Sequence, residues 1–356
     1  MSHRVPMPRH TAAPASPGPG PDEPPTSATS ATNAGNGGRR PGDPAPEGLS
    51  VWVTAQRSGP SQRKGRYVPE SVAHPARMLP AIAAHAVQAY TQPGDLVFDP
   101  MCGIATTIVE AIHAGRDGLG VEYESRWSDV ADANIAHAHT QGATGRGSVV
   151  RGDATRMTAL LPAALHGQVA LVVTSPPYGP TVHGLVRPTP GEGVAKSDNR
   201  YGDDPGNLAY RDLAGLVDGF THILRGCRVL LRPGGVVVIT VRPWRKRGEL
   251  VDLPSAVIAA GIDAGLAPVE RCVALLAGVR DGHLVARPSF FQLQHVRKAR
   301  AAGVPMHLIA HEDVIVLAKV GKSVSSREPR CSQAEPKGSS RSLLDPRVHG
   351  EAEGSP

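Results

Sequence analysis

Aromatic residues are scarce in this 356-residue chain: 4 Phe, 3 Trp and 6 Tyr. None of them lies in residues 1–49 or 321–356. Those ends cannot bury enough apolar surface to offset the entropy of ordering, so a disordered leader over 1–49 and a disordered tail over 321–356 are expected. Cysteine is equally thin, with Cys102, Cys227, Cys272 and Cys331 far apart and no Cys-x-x-Cys. That spacing argues against a disulfide scaffold or a structural zinc site, no metal is expected, and a reducing cytoplasm is the natural setting. No run of ~18 uncharged apolar residues exists to span a membrane, and the N-terminus lacks the apolar stretch of a signal peptide. Neither Gly-x-x-x-x-Gly-Lys-Ser/Thr nor Gly-x-Gly-x-x-Gly occurs. A cradle for ATP or a dinucleotide is therefore missing.

What the chain has in excess is glycine and proline, 40 and 34 residues. The excess is uneven, with 11 Pro and 7 Gly within residues 1–49. Removing both ends leaves 50–320, a length suited to one large α/β unit. That core keeps 28 basic and 23 acidic residues, a mild positive balance that permits a polyanionic partner without demanding one.

Along the core, helical and strand patterns alternate. A helical pattern covers Ser71–Tyr90, interrupted by Pro75 and Pro80. Strands are expected at 96–98, 118–121, 149–150, 169–173, 236–241, 269–276 and 314–318, and helices at 106–114, 126–139, 208–231 and 253–264. Such alternation predicts βαβ units, hence a mostly parallel sheet with helices on both faces. Ligands on such sheets bind at the carboxyl ends of the strands.

Three strand ends carry chemistry. The first runs Asp99-Pro100-Met101-Cys102-Gly103-Ile104-Ala105-Thr106: an acid, a tight turn of small residues, then a helix for which Thr106 is the expected cap. Alone this is an ordinary strand–helix connection. The second is Glu122, 23 residues after Asp99, the kind of acid whose carboxylate accepts from two ribose hydroxyls. The third is Thr174-Ser175-Pro176-Pro177-Tyr178. Two prolines directly after a buried strand end the ladder and fix the backbone. Ser175 and a neighbouring carbonyl then offer acceptors to an exocyclic amine, and the Tyr178 ring a flat face for a flipped base.

The order Asp-Pro-x-x-Gly, Glu, Gly-Asp, Ser-Pro-Pro-Tyr resembles the S-adenosylmethionine-dependent amino-methyltransferases, which methylate cytosine N4 or adenine N6 in DNA. The resemblance covers about 50–320, with Ser175–Tyr178 its most specific part. It implies a Rossmann-like methyltransferase fold with a seven-stranded sheet, and S-adenosyl-L-methionine as cofactor. It further implies that His74 and Arg77 help hold the methionine end of that cofactor. Asp153 would lie near its adenine, beside Asp99, Pro100, Cys102, Gly103, Thr106 and Glu122 in the rest of the cofactor site. Leu231-Arg232-Pro233-Gly234-Gly235 matches the turn before the fifth strand of the family. Two departures stand out. Ala105 replaces the second Gly of the usual Gly-x-Gly, which is harmless unless that position needs a positive φ. Only 179–207 and 281–312 remain as candidate substrate-recognition insertions.

The implied chemistry is direct methyl transfer, with Ser175 and the Pro176 carbonyl accepting from the amine. Ser before Pro-Pro-Tyr leans toward cytosine N4. Arg242, Trp244, Arg245, Lys246 and Arg247 follow a strand and suit backbone phosphates and stacking, although charge runs are commonly solvated faces. The tRNA guanine-N2 methyltransferases are similar too, through Met101-Cys102-Gly103 and Pro177-Tyr178-Gly179, which keeps tRNA open as substrate. A non-catalytic nucleic-acid-binding protein with a retained cofactor pocket is a third reading. A restriction nuclease partner is compatible with the first.

Overall fold

The computed structural model describes residues 48–177, 185–189, 193–197, 201–202, 204–246, 249–287 and 290–320. Residues 1–47 of the expected leader, the expected tail 321–356, Tyr178, Arg247 and 13 of the 29 residues 179–207 lie outside the described residues. Of Arg245 and Lys246 only the backbone is described.

The main sheet has eight strands: β1 (Val51–Trp52), β2 (Leu96–Asp99), β3 (Asp117–Glu122), β4 (Gly147–Arg151), β5 (Val169–Thr174), β6 (Leu231–Val241), β7 (Ala267–Leu275) and β8 (His311–Ala318). Their spatial order is β1-β7-β8-β6-β5-β2-β3-β4. Only β8 runs antiparallel, against both β6 and β7, so the sheet is mixed and mostly parallel. It has one strand more than the seven expected. The addition is β1, two residues long and paired in parallel with β7, too short to leave a periodic signal.

The strands are sandwiched because their residues alternate between two cores. Val97, Leu171, Val173, Val238, Val314 and Val316 pack on one face, with Ile82, Ala86 and Val87 of helix α1 (Pro80–Tyr90). Phe98, Val172, Val237, Ile239, Ile315 and Leu317 pack on the other. That face is covered by Phe220, Ile223 and Leu224, and by Leu253 and Val257. Side chains of a strand point alternately to its two faces, so the near-continuous apolar run of β5 reads as a strand covered on both sides. Each fully buried Val, Leu, Ile or Phe contributes about 1.5–3 kcal/mol.

Several expected elements are corrected. The pattern over Ser71–Tyr90 divides into a 3-10 turn at Pro69–Ala73 and α1, because proline suits the first turn of a helix but not its interior. The expected helix over 208–231 is a 3-10 turn, Leu208–Tyr210, followed by the helix Leu213–Leu230. Asp212 separates them and caps the helix by accepting from Gly215 N at 2.8 Å. Pro233-Gly234-Gly235 does not end before β6 but lies within it, at a register shift between the Leu231 and Val236 pairings with β5. Gly234 has φ +73° there, a conformation that glycine adopts without penalty. The interval 281–312 contains a short ribbon strand (His283–Val285), the helix Phe290–Ala301 and the start of β8.

The strand order places the site. From β2 the chain winds outward to β3 and β4, then returns to the other side of β2 as β5. The carboxyl ends of β2 and β5 therefore flank a topological switch point, where open α/β sheets bind ligands.

Candidate active site

The residues that end β2, β3 and β5 line one cavity of about 680 Å³. Asp99 and Pro100 enter it from β2, Glu122 from β3, and Ser175, Pro176 and Pro177 from the end of β5. Cys102, Gly103, Thr106, His74, Arg77 and Asp153 line it as well. All described residues expected for cofactor and catalysis are thus brought together.

The turn after β2 is held from both sides. The Asp99 carboxylate accepts from Met101 N at 3.1 Å and from Thr107 Oγ1 at 2.8 Å. The Gly103 N–H donates to Glu122 Oε2 at 2.8 Å, and Glu124 N donates to Oε1 at 2.9 Å. Cys102 is buried beneath Gly120, where a Cβ would stand 2.6 Å from the sulfur. Its thiol is pushed well up by burial, so it packs as a neutral thiol.

Two backbone positions carry the turn's shape. Gly103 has φ +54°, and a Cβ there would meet His74 Nε2 at 3.1 Å. Ala105 has φ +62° and is the N-cap of helix α2 (Thr106–His113). This corrects the expectation that Thr106 caps the helix, since Thr106 is its first residue. The position where the family has glycine does need a positive φ, and this chain fills it with an alanine in the left-handed region. That costs roughly 1–2 kcal/mol.

Burial sets the electrostatics. It raises Asp99 to about 6, partly offset by the Thr107 and Met101 hydrogen bonds. It raises Glu122 to about 7, offset by the Glu124 and Gly103 N–H groups and raised further by Asp99. It lowers His74 to about 3, so that ring is neutral. His74 Nδ1 lies beside the Ala76 backbone without closing a hydrogen bond of normal geometry. The ring meets Trp127 edge-on at 4.7 Å and Tyr201 at 5.5 Å. Arg77, lowered to about 10 by burial and Arg63, donates to the Ser71 carbonyl at 2.8 Å. Asp153 accepts from Thr155 N and Oγ1 at 2.9 and 2.7 Å, so it shapes its own turn at the cavity rim.

Of the expected basic track, the side chains of Arg242 and Trp244 are described. Arg242 lines the cavity. Trp244 packs partly buried against the larger core cluster, which accounts for it as a packing residue beside any stacking role. Trp244–Lys246 pairs with Glu249–Val251 as a small antiparallel ribbon.

Three contributors escaped the sequence reading. Asn134, fully buried, accepts from Val68 N at 2.8 Å and donates to the Ile104 carbonyl at 2.9 Å, while exchanging hydrogen bonds with Ser71. It ties the segment before His74 to the cofactor turn. A signal existed: Asn134 interrupts the buried stripe Trp127, Ala131, Ile135, Ala138. Arg63 donates to the Met78 carbonyl and, at 3.3 Å, to Thr106 Oγ1. Glu312 enters the cavity from β8. For these two, contacts across long sequence separations leave no local mark. Among the described residues no cluster of His, Cys, Asp or Glu could hold a metal ion, and no helix is long and apolar enough to cross a membrane.

Comparison with known proteins follows the same lines. Residues 39–132 match the N6/N4 methyltransferase family model, described as DNA methylase. The match takes in Asp99, Gly103 and Glu122 and stops before Ser175. Among solved structures, TrmN from Thermus thermophilus is similar at 17% identity, over 73% of this chain and 53% of that one, with a TM-score of 0.43. This chain therefore spans about half the length of that relative. A methyltransferase from Pyrococcus furiosus is similar at 11% identity over 71% and 87%, TM-score 0.39. The magnesium protoporphyrin IX methyltransferase of Synechocystis PCC 6803, solved with bound SAM, is similar at 10% identity over 67% and 76%, TM-score 0.36. Residues 39–132, 94 of the chain's 356, thus carry the match to the DNA methylase family model, and they hold both the Asp99–Gly103 turn and Glu122.

Proposed function

We propose that the protein methylates an exocyclic amino nitrogen of a DNA base, cytosine N4 or adenine N6, flipped into the cavity beside S-adenosylmethionine. The observation that carries this reading is one cavity lined both by the Asp99–Gly103–Glu122 turn and by Ser175-Pro176-Pro177. The family-model match supports DNA as the substrate class. The unit is taken as 50–320, with 179–207 and 281–312 on the substrate side.

The residues present fit the cofactor. A carboxylate offers about four lone-pair sites; backbone N–H groups of Gly103 and Glu124 occupy two at Glu122. The rest are left for ribose hydroxyls, whose donation would relieve the burial that holds this acid near 7. The absent side chain at Gly103 lets a ligand approach the backbone. His74 and Arg77 border the same space and would face the methionine end, with Asp153 toward the adenine.

S-adenosylmethionine, when bound, supplies the electrophilic methyl group. The chain's own residues position the acceptor. Ser175 Oγ and the Pro176 carbonyl accept from the amine's hydrogens, turning its lone pair toward the methyl donor. Pro176 and Pro177 lack N–H groups and hold these acceptors in place. Tyr178 would stack on the base. Arg242, with Trp244, Arg245, Lys246 and Arg247, would lie along the nucleic-acid path.

The test is transfer of tritium from labelled S-adenosylmethionine to genomic DNA and, separately, to total tRNA, followed by mass spectrometry of the digested bases. Label on cytosine N4 or adenine N6 is expected. Label confined to guanine N2 of tRNA would replace DNA by RNA as substrate.

A further inference from the structure

The cavity contains an acid that the cofactor does not use. β8 runs antiparallel to β6, so its start lies at the edge where the parallel strands end. Asp313 pairs with Val241 and Val314 with Thr240, which places Glu312 across from Arg242. Thr174 pairs with Ile239, which places Ser175 beside Thr240. Alternate residues of a strand share a face. Thr240 and Arg242 therefore share one face with their partners Val314 and Glu312. Ser175, Thr240, Arg242 and Glu312 all line the cavity. Strands are spaced ~4.8 Å apart and rise ~3.3 Å per residue, so Glu312, two strands over and two residues along, starts about 12 Å from Ser175. Its side chain lines the same cavity across that gap.

We propose that Glu312 reads the ring nitrogen next to the reacting amine and so helps decide which base is methylated; this rests on the reading of the site as a base-flipping methyltransferase. The chemistry follows from the bases. In cytosine and adenine the ring nitrogen beside the amine is an acceptor, N3 or N1. A neutral carboxyl donates to it, while both amine hydrogens go to Ser175 and the Pro176 carbonyl. In guanine the amine stands between N1–H and N3, so a donor is accommodated only at N3 and N1–H needs an acceptor. Burial raises the pKa of Glu312, while Arg242 and the Thr240 hydroxyl pull it down. Glu312 is half-buried, and a carboxyl drawn out of water needs hydrogen-bond partners, which the base supplies. The cofactor contacts lie on β2, β3 and the segments around them, on the far side of β5.

The test compares wild type, Glu312→Ala and Glu312→Gln, each assayed for S-adenosylmethionine affinity and for methyl transfer to genomic DNA and total tRNA. Glu312→Ala is expected to bind the cofactor as wild type does and to lose about ten- to a hundredfold in kcat/KM for nucleic acid. Glu312→Gln carries both a donor and an acceptor. If the wild-type product is N4-methylcytosine or N6-methyladenine, this variant should stay within a few-fold of wild type. If the product is N2-methylguanine, the amide oxygen of this variant can still accept from N1–H, so its loss should be smaller than that of Glu312→Ala. An unchanged kcat/KM in Glu312→Ala overturns the proposal, as does a parallel loss of cofactor affinity. Failure of wild type itself to label any nucleic acid would instead overturn the reading of the site, a result separable because it precedes any variant.

Discussion

The Glu122 carboxylate at the end of β3 accepts the backbone N–H of Gly103 in the turn after β2, at 2.8 Å. One strand's terminal acid thus holds the neighbouring strand's loop open. Both groups are buried, and the same carboxylate keeps lone pairs that would accept from the ribose hydroxyls of the proposed cofactor.

Gly103→Ala tests that turn. The substitution places a methyl 3.1 Å from His74 Nε2 and puts a Cβ on a residue with φ +54°. A loss of about 1–2 kcal/mol in stability and a larger proportional loss of S-adenosylmethionine affinity are expected. Thermal unfolding and calorimetric titration read the two separately; wild-type affinity in the variant would show that the ligand does not approach this backbone.

Asp99 and Glu122 predict an unusual pH dependence of the ligand-free protein. Burial holds them at about 6 and about 7, against ~3.9 and ~4.3 in an unfolded chain. Between those values the folded state keeps protons that the unfolded state has released. These two carboxyls therefore make stability fall as pH rises from about 4 to about 7; His74, held near 3, opposes one of them up to about pH 6.5, so the net fall is that of a single group over most of the interval. Asp99→Asn keeps an acceptor for Met101 N–H and a donor for the Thr107 hydroxyl. It should recover up to about 3 kcal/mol at pH 8 and nothing at pH 3. Melting temperatures across pH 4–8 check this; a wild-type curve that rises over that interval contradicts it.

Asn134→Leu removes the bonds to Val68 N and to the Ile104 carbonyl and leaves both buried groups unpaired. A cost of about 2–4 kcal/mol is expected. Because the residue positions the cofactor turn, KM for S-adenosylmethionine should rise more than kcat falls. Steady-state kinetics well below the melting temperature would show this, and equal effects on both would assign Asn134 to stability alone.

Much of the site was legible because parallel sheets concentrate function at strand ends. Asp99, Glu122 and Ser175 each follow a short apolar run, so their convergence could be read from spacing. The fold class was legible for the same reason. What stayed hidden has physical causes. The strand β1 is two residues long and depends on β7, more than two hundred residues away, for its hydrogen bonds. Asp212 splits an apparently continuous helical pattern by capping. Pro233-Gly234-Gly235 reads as a turn but is absorbed into β6 at a register shift. Ala105 carries no sign in its sequence that it sits at φ +62°, since alanine ordinarily avoids that region.

Ala105→Gly follows from that last point. Glycine removes the left-handed strain, worth roughly 1–2 kcal/mol. It also loses a buried methyl, about 0.8 kcal/mol, and adds unfolded-state freedom, about 0.4–1 kcal/mol. The terms nearly cancel, so a stability change within about 1 kcal/mol is expected, with cofactor affinity retained. A large destabilisation by denaturant titration would mean that the alanine is packed in for reasons other than its small size.

The most direct test is methyl transfer itself, measured with labelled S-adenosylmethionine and genomic DNA for wild type and Ser175→Ala at equal cofactor occupancy. Wild type should label cytosine N4 or adenine N6, and Ser175→Ala should transfer about a hundredfold more slowly while binding the cofactor normally. Undiminished transfer by Ser175→Ala, or a wild-type protein that binds the cofactor yet leaves every DNA base unlabelled, would contradict the assignment of this cavity to DNA amino-methylation.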